Sequence, residues 1–218
     1  MTTTVGVLAL QGDFAAHTRV LDALGARTCE VRTPAELGGL DGLILPGGES
    51  TALLKLMERT GLEAALVRYH AQGGVLFGTC AGMILLARSV SAPAQRSLDL
   101  IEIDVDRNAY GRQEDSFEAE AEWVAAELFA GNGTAAQPTT PGGDGSAAGR
   151  PLPLVFIRAP RLAHHGMDVT PLVYHGGDVV MARQGRVIVA SFHPEISGDD
   201  RVHRYLLSVI MASSALGK

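Results

Sequence analysis

Short apolar segments alternate with segments of helical spacing along the first half of the chain, and this alternation restricts the fold more than any other feature. The predicted strands are residues 5–10, 28–32, 42–45 and 74–77, and the predicted helices are residues 14–24, 50–57, 62–70 and 81–87. Strands that alternate with helices indicate a parallel sheet, and uniformly apolar strands indicate that both of its faces are covered. We therefore expect an α/β fold, a three-layer sandwich around a mostly parallel sheet.

The second half of the chain is richer in predicted strands, which we expect to add antiparallel neighbours to one side of the same sheet. They are residues 100–105, 116–123, 154–157, 169–173, 179–183 and 186–192, followed by a closing helix at 201–211. Residues 130–152 differ, with six glycines, three prolines and one large apolar residue, Leu152. Such a segment buries too little surface to offset its ordering entropy. We predict a flexible insert within a single domain that spans residues 1–218.

Charge and composition exclude several classes of function. The net charge is −6 and no long basic run occurs, so we expect no nucleic-acid partner. No apolar run approaches the roughly 20 residues of a membrane span, and the N-terminus carries no basic region typical of a signal peptide. The two cysteines, Cys29 and Cys80, fit free thiols in a reducing cytoplasm better than a secreted scaffold, although the sequence leaves a disulfide open.

The segment 78–82 (GTCAG) places Cys80 between a predicted strand and an apolar helix. A nucleophile on such a tight turn needs small neighbours, as in the G-x-S-x-G elbow of serine hydrolases. The N-terminus of the following helix favours a thiolate. A buried structural cysteine in a glycine-rich turn is an equally weighted alternative for this motif by itself.

His193 and Glu195 follow the last predicted strand in the segment 192–195 (FHPE). A cysteine nucleophile needs a base, usually a histidine, and the base needs an acceptor that orients it. Glu195 can be that acceptor if the segment is extended, because residues i and i+2 then share a side. A surface His-Pro turn with an incidental acid is the alternative.

The segment 45–50 (LPGGES) also joins a strand end to a helix. Its glycines allow backbone N–H groups to approach a developing oxyanion. Such a segment is more often an ordinary strand-to-helix turn. A phosphate-binding loop is a further alternative, but its pattern G-x-x-x-x-G-K-[ST] is absent. All three motifs follow predicted strands, where open α/β sheets place their sites.

Together, the segments 46–50, 78–82 and 192–195 resemble the signature of class I, triad-type glutamine amidotransferases. Within that group the chain is similar to the glutaminase subunits of pyridoxal 5′-phosphate synthase. This finer resemblance rests on the segments 6–12 (GVLALQG), 43–51 (LILPGGEST), 107–113 (RNAYGRQ), 115–118 (DSFE) and 156–160 (FIRAP). The match covers nearly the whole chain, and the insert at 130–152 is longer than we expect for this family.

The resemblance implies a role for each site residue. Cys80 is the expected nucleophile, His193 the base and then the acid, and Glu195 the residue that orients it. The backbone N–H groups of Gly48 and Ala81 are the expected oxyanion hole. The expected glutamine-binding residues are Gly48, Glu49, Ser50, Arg107, Ile157 and Arg158. An arginine is a suitable partner for the α-carboxylate of glutamine, although surface salt bridges are the alternative for Arg107 and Arg158.

The resemblance further implies hydrolysis of L-glutamine to L-glutamate and ammonia, and transfer of the ammonia to a lyase subunit that makes pyridoxal 5′-phosphate (vitamin B6). We expect a cytoplasmic hetero-oligomer whose glutaminase activity depends on that partner. No metal or other cofactor is expected, because His164, His165 and His175 have no cysteine or acid at ligand spacing. A binding module without catalysis, and a glutaminase that serves another synthase, are the alternatives.

Overall fold

The computed structural model describes residues 2–107, 116–125 and 151–216. Two 3-10 helices, Pro34–Leu37 and Pro194–Ile196, accompany the regular elements. In chain order these elements are β1 (Thr4–Leu8), α1 (Phe14–Ala23), β2 (Arg27–Val31), β3 (Gly42–Leu45), α2 (Ser50–Thr60), α3 (Leu62–Ala71), β4 (Val75–Thr79), α4 (Ala81–Leu86), β5 (Ala87–Ser91), β6 (Ile101–Asp106), β7 (Ser116–Glu120), β8 (Trp123–Val124), β9 (Pro153–Ile157), β10 (Arg161–His165), β11 (Thr170–His175), β12 (Asp178–Gln184), β13 (Val187–Ala190) and α5 (Arg201–Leu216).

The central sheet has eight strands in the order β2-β1-β3-β4-β13-β12-β11-β8. The five strands from β2 to β13 are parallel to their neighbours. The strands β12, β11 and β8 then continue the sheet in antiparallel pairs. The predicted mostly parallel sheet with antiparallel additions on one side is confirmed.

Successive residues of each central strand enter opposite sides of the molecule, as the period of two in a strand requires. In β3, Leu43 and Leu45 belong to the core under α2, α3 and α4, whereas Ile44 belongs to the core under α1 and α5. In β4, Leu76 and Phe77 divide in the same way. Helices therefore cover both faces, and the three-layer sandwich is confirmed.

Not all strands of the second half join this sheet, which corrects our expectation. Strands β10, β6 and β5 form a separate three-stranded sheet, and β7 pairs with β9 in a two-stranded one. In β6 the apolar residues alternate with acidic ones, so only one face of the strand is buried. Such a strand cannot occupy the middle of a sheet covered on both faces. Strands β5 and β10 were not predicted.

The predicted flexible insert lies mostly outside the described residues. Its last two residues are described, and they belong to the body of the protein. Leu152 is buried in the core under α1 and α5, and the Pro151 carbonyl accepts a hydrogen bond from the buried Arg201 at 2.6 Å. The end of the predicted insert at residue 152 is therefore wrong. No helix in the described ranges combines the length and the apolar character needed to cross a membrane.

Candidate active site

Cys80 lies one residue beyond β4 on a tight turn that leads directly into α4. Its backbone has a φ of 49° and a ψ of −104°, a region that costs a non-glycine residue about 1–3 kcal/mol. The Cys80 N–H donates to the Ala190 carbonyl at 2.8 Å, which ties the turn to the end of β13. A strained backbone at a residue whose side chain can act as a nucleophile is typical of a nucleophile elbow.

Glycines around the elbow let three backbone segments approach one another. A Cβ added to Gly82 would lie 1.9 Å from the Leu45 carbonyl oxygen, and one added to Gly78 would lie 2.6 Å from the Gly82 carbonyl carbon. These separations are far below any real Cβ contact, so neither position tolerates a side chain without a shift of the backbone. The small neighbours that the motif predicts for Cys80 are thus required by packing.

His193 and Glu195 form the buried pair that the motif predicts, but by a different backbone path. The His193 Nδ1 and Glu195 Oε1 atoms are 2.7 Å apart, and both residues are buried. Pro194–Ile196 is a 3-10 turn, and the expectation of an extended segment is wrong. The His193 N–H donates to the Val155 carbonyl at 2.8 Å, which holds the turn against β9. Because the Glu195 carboxylate can only accept, Nδ1 of the His193 ring is the donor, and Nε2 faces away from Glu195.

The charge state of His193 depends on its two neighbours. Burial lowers the pKa of the ring, but the Cys80 sulfur and the Glu195 carboxylate outweigh burial and raise the pKa to about 10. His193 Nε2 has no partner of hydrogen-bond geometry within the described part of the chain. A protonated ring beside the sulfur favours the thiolate form of the nucleophile. Because α4 has only six residues, we attribute most of this stabilisation to the ring and less to the helix dipole.

The loop after β3 reaches over the elbow and carries the predicted oxyanion donors. A Cβ on Gly47 would lie 2.4 Å from His193 Cε1, so the loop runs directly against the imidazole ring. Gly48 has a φ of 153°, and the neighbouring Glu49 N–H is 3.4 Å from Gln11 Oε1. The Gly48 N–H has no acceptor in hydrogen bonds between described residues, so it is available to a ligand. Ala81 provides the first N–H of α4, immediately after Cys80.

Glu49, Ser50 and Arg107 lie together beside this loop. The Glu49 carboxylate caps α2 by accepting the N–H groups of Thr51 and Ala52, at 3.0 and 2.7 Å. Burial opposes its ionisation, but these backbone bonds lower the pKa of Glu49. Arg107 donates from Nη2 to Glu49 Oε1 at 3.2 Å. Ser50 is buried, and its hydroxyl donates to Gln95 Oε1 at 2.9 Å.

Ile157 and Arg158 border the elbow from β9. The Cys80 thiol points at the Ile157 carbonyl with a distance of 3.8 Å. Arg158 has a φ of 43° and an exposed side chain. The positive φ turns the chain sharply after β9 and keeps the Ile157 carbonyl facing the sulfur. All predicted site residues therefore lie on segments that meet at the carboxyl end of the parallel strands.

Residues 7–212 match the SNO glutamine amidotransferase family. The chain is 44% identical over 211 residues to the pyridoxal 5′-phosphate synthase subunit PdxT of Deinococcus radiodurans, with 94% of this chain and 96% of that protein covered. It is 45% identical to the PdxT of Pelotomaculum thermopropionicum, with 93% of each covered. The chain belongs to the SNO glutamine amidotransferase family. A crystal structure of a glutamine amidotransferase superposes with a TM-score of 0.79 at 41% identity and covers 95% of this chain and 98% of that chain.

Membership of the SNO glutamine amidotransferase family confirms the resemblance that the motifs carry, and the structural match confirms the fold class. The described residues contain no group of three or more histidine, cysteine or acidic side chains that could hold a metal ion. Both cysteines are free: Cys29 is half-buried within β2, away from the elbow. The absence of a cofactor and the cytoplasmic location stay predictions.

His17, His203 and Gln95 shape this SNO-family site and were missed in the sequence, whereas Gly12 and Gly47 lie in segments that the sequence analysis singled out. Gly12 and Gly47 are packed together, because a Cβ on Gly12 would lie 1.7 Å from the Gly47 carbonyl oxygen. His17 and His203 are completely buried behind Glu195. A histidine within the apolar stripe of a helix is the available signal for both, but such a residue is as often a simple core residue. Gln95 Oε1 also accepts from Thr51 Oγ1 at 3.1 Å, and no motif singled it out.

Proposed function

We propose that this chain is the glutaminase subunit of a pyridoxal 5′-phosphate synthase and hydrolyses L-glutamine to L-glutamate and ammonia. The observation that carries the proposal is the buried His193, which lies between Cys80 and Glu195 with its pKa raised by both. Such a cysteine, histidine and acid arrangement is suited to acyl transfer from an amide. Family membership and the names of the relatives support glutamine as the amide and the synthase as the assembly.

The first half of the reaction forms a thioester. The Cys80 thiolate attacks the side-chain carbonyl carbon of glutamine. The resulting oxyanion accepts hydrogen bonds from the N–H groups of Gly48 and Ala81. His193 then donates its Nε2 proton to the amide nitrogen, and the C–N bond breaks to release ammonia. Glu195 keeps Nδ1 protonated and the ring in place throughout.

The second half hydrolyses the thioester. His193, now neutral, accepts a proton from water through Nε2 while the water oxygen attacks the thioester carbon. The carbon–sulfur bond breaks, glutamate leaves, and the thiolate beside a protonated ring is restored. Proton transfers therefore use Nε2 alone, which agrees with a Nδ1 atom that is occupied by Glu195.

Glutamine binding falls to the segments that border the elbow. Arg107 is the proposed partner of the α-carboxylate, and its contact with Glu49 and Thr51 fixes the guanidinium at the edge of the loop. The main chain of Ile157 and Arg158 is proposed to hold the amino-acid end of the substrate. Glu49 and Ser50 contribute chiefly by shaping the start of α2, since their side chains already have partners within the protein.

The ammonia is proposed to pass to a lyase subunit in a hetero-oligomer, because the relatives are named as synthase subunits. The Gly48 peptide can reorient at low cost, so a docked partner can select the orientation that accepts the oxyanion. Glutaminase activity without the partner should consequently be low.

The test is glutamate release at saturating glutamine by the purified chain, alone and with its cognate lyase subunit. We expect the lyase subunit to raise the rate at least tenfold, and we expect Cys80→Ala to abolish it in both cases while the melting temperature stays within a few degrees. A Cys80→Ala protein that still releases glutamate would remove Cys80 from the mechanism. Equal rates with and without the lyase subunit would remove the partner from it.

A further inference from the structure

Two buried histidines behind the triad have no part in the reaction steps above. His17 extends from α1 and His203 from α5, and neither has any solvent exposure. The ring of Phe77, on β4, meets both of them edge-on at centroid distances of 6.4 and 6.5 Å. Burying two imidazoles between a helix layer and the sheet costs desolvation, so their contacts need an explanation beyond filling space.

The contacts of these histidines lead to the outer oxygen of Glu195. Glu195 Oε1 accepts from His193, whereas Oε2 is buried and has no partner of strict hydrogen-bond geometry among the described residues. His17 Nε2 lies 3.4 Å from Oε2. His17 Nδ1 lies 3.0 Å from His203 Nε2, so the two rings continue the line of contacts away from the site.

The protonation pattern of this line follows from which atoms lack partners. In one pattern His17 carries its proton on Nδ1, and its Nε2 lone pair then faces the Glu195 carboxylate. His203 would have to carry its own proton on its Nδ1 atom, which has no acceptor in the described structure. If His203 carries its proton on Nε2, it donates to His17 Nδ1. His17 Nε2–H then donates to Thr79 Oγ1 at 3.3 Å and lies 3.4 Å from Glu195 Oε2. The second pattern leaves only an unused lone pair on His203, which costs less than a buried N–H without an acceptor.

Both rings stay neutral, so they supply a donor without a competing charge. Burial, followed by the neighbouring His203 and His193, lowers the pKa of His17 well below its ordinary value. Burial also lowers the pKa of His203 to about 4, although Asp200 opposes this shift. A neutral N–H group beside Oε2 limits the movement of the carboxylate and leaves its charge available to the His193 ring.

We propose that His17 is a positioning residue for the glutaminase reaction: its Nε2–H, hydrogen-bonded to Thr79 Oγ1 at 3.3 Å, lies 3.4 Å from Glu195 Oε2 and through this polar contact helps to fix the carboxylate that orients His193. His203 sets the tautomer of His17 from the opposite side. This inference rests on the proposed function, since it acts through Glu195 and His193 and touches no substrate. Thr79 Oγ1, which lies 3.3 Å from His17 Nε2, helps to keep that ring in place.

The test compares His17→Gln with His17→Asn in the complex with the lyase subunit. The amide nitrogen of glutamine can occupy the place of Nε2, whereas that of asparagine reaches only the place of Nδ1. We expect His17→Gln to keep at least a third of the wild-type kcat and His17→Asn to lose about 10- to 100-fold, as outer residues that orient catalytic ligands typically do. KM for glutamine should stay within twofold in both, and their melting temperatures should be similar.

His164→Gln is the matched control, since His164 is exposed on β10 and pairs with Asp104 away from the triad. It should leave kcat within twofold. Equal kcat values for His17→Gln and His17→Asn overturn the inference, whether both variants are active or both are inactive. A wild-type complex that releases no glutamate would instead refute the proposed function, so the two failures are distinguishable.

A second pair keeps the inference testable if His17→Asn does not fold. His203→Gln retains an N–H that can point at His17 Nδ1, and His203→Leu removes it. We expect His203→Leu to lower kcat several-fold more than His203→Gln. Equal values for this pair would contradict the role of His203 and, with it, the proposed orientation of His17.

Discussion

The two cysteines of this chain lie at different places in one parallel sheet, and the comparison explains why they differ in chemistry. Cys29 lies within β2, at the edge of the sheet, paired opposite Gly6 and half-buried. Cys80 lies one residue beyond β4, in the middle of the sheet, on a backbone with positive φ. A residue inside a strand has a regular backbone that points its side chain at a layer of helices. A residue just past the strand end can face loops that follow the neighbouring strands.

The electrostatic surroundings of the two thiols are opposite. Burial, and then the carboxylate of Glu36, raises the pKa of Cys29 and keeps that thiol protonated. Cys80 instead faces His193, a ring whose own pKa is raised and which therefore carries positive charge at neutral pH. The comparison teaches that the carboxyl end of the strands, where β13 leads to His193, places a cationic ring beside one thiol, whereas the other thiol meets only a carboxylate and partial burial. This is why we expect Cys80, and not Cys29, to be the nucleophile.

The largest expected effect comes from removing the groups that distinguish Cys80 from Cys29. His193→Ala should lower kcat by about 10⁴-fold or more, and Glu195→Gln should be about 10- to 100-fold less severe, because the acid only orients and stabilises the ring. Steady-state glutamate release by the two variants, measured side by side with the lyase subunit, checks the ranking. A Glu195→Gln variant that is more impaired than His193→Ala would mean that the two roles are reversed.

Alkylation by iodoacetamide compares the two thiols directly. At pH 7 we expect Cys80 to react at least about 100-fold faster than Cys29, because thiolate is the reactive form. The His193 ring loses its proton only as the pH rises through about 10, so a positive charge faces the Cys80 sulfur throughout the interval from pH 7 to 9. The rate at Cys29, whose pKa is raised, should rise about tenfold per pH unit over that interval.

Peptide mass mapping of each cysteine after timed labelling measures both rates, and glutamine should protect Cys80 alone. The comparison fails if the two rates at pH 7 are similar, or if glutamine protects both cysteines equally.

A smaller effect is expected from narrowing the space between the oxyanion loop and the base. Gly47→Ala places a Cβ 2.4 Å from His193 Cε1, so either the loop or the ring must shift. We expect kcat to fall about 10- to 100-fold, since a displacement near 1 Å can cost about this much. Gly38→Ala is the matched control, because its Cβ meets nothing closer than 3.4 Å. Comparable losses in the two variants would show that the effect is on folding and not on the site.

The smallest effect is expected from residues 130–150, which contain none of the predicted site residues. Replacing them with a short Gly-Ser link should leave the melting temperature within a few degrees and kcat within twofold, because their composition gives them little to pack. The replacement stops before Pro151, which binds Arg201, and before the buried Leu152. A large loss of activity only in the presence of the lyase subunit would indicate a contact with that partner.

Local sequence determined the regular elements and the elbow. The alternation of apolar strands and helices predicted β1 to β4 and α1 to α4 to within a few residues, because burial on a fixed period is a local property. The glycines beside Cys80 predicted a tight turn, since only small residues fit there, and packing of Gly82 against Leu45 bears this out. The family resemblance then brought together motifs that are far apart in the chain.

Only the tertiary structure decided which side chains meet and in what geometry. His17 and His203 are 186 residues apart, and their contact behind Glu195 depends on α1 and α5 packing on the same face of the sheet. Residues Pro194–Ile196 form a 3-10 turn where the sequence predicted an extended segment, and β6 belongs to a separate three-stranded sheet and not to the central one. Such outcomes depend on the whole set of competing long-range contacts, which no local period encodes, and so the supporting layer of the triad could be found only in three dimensions.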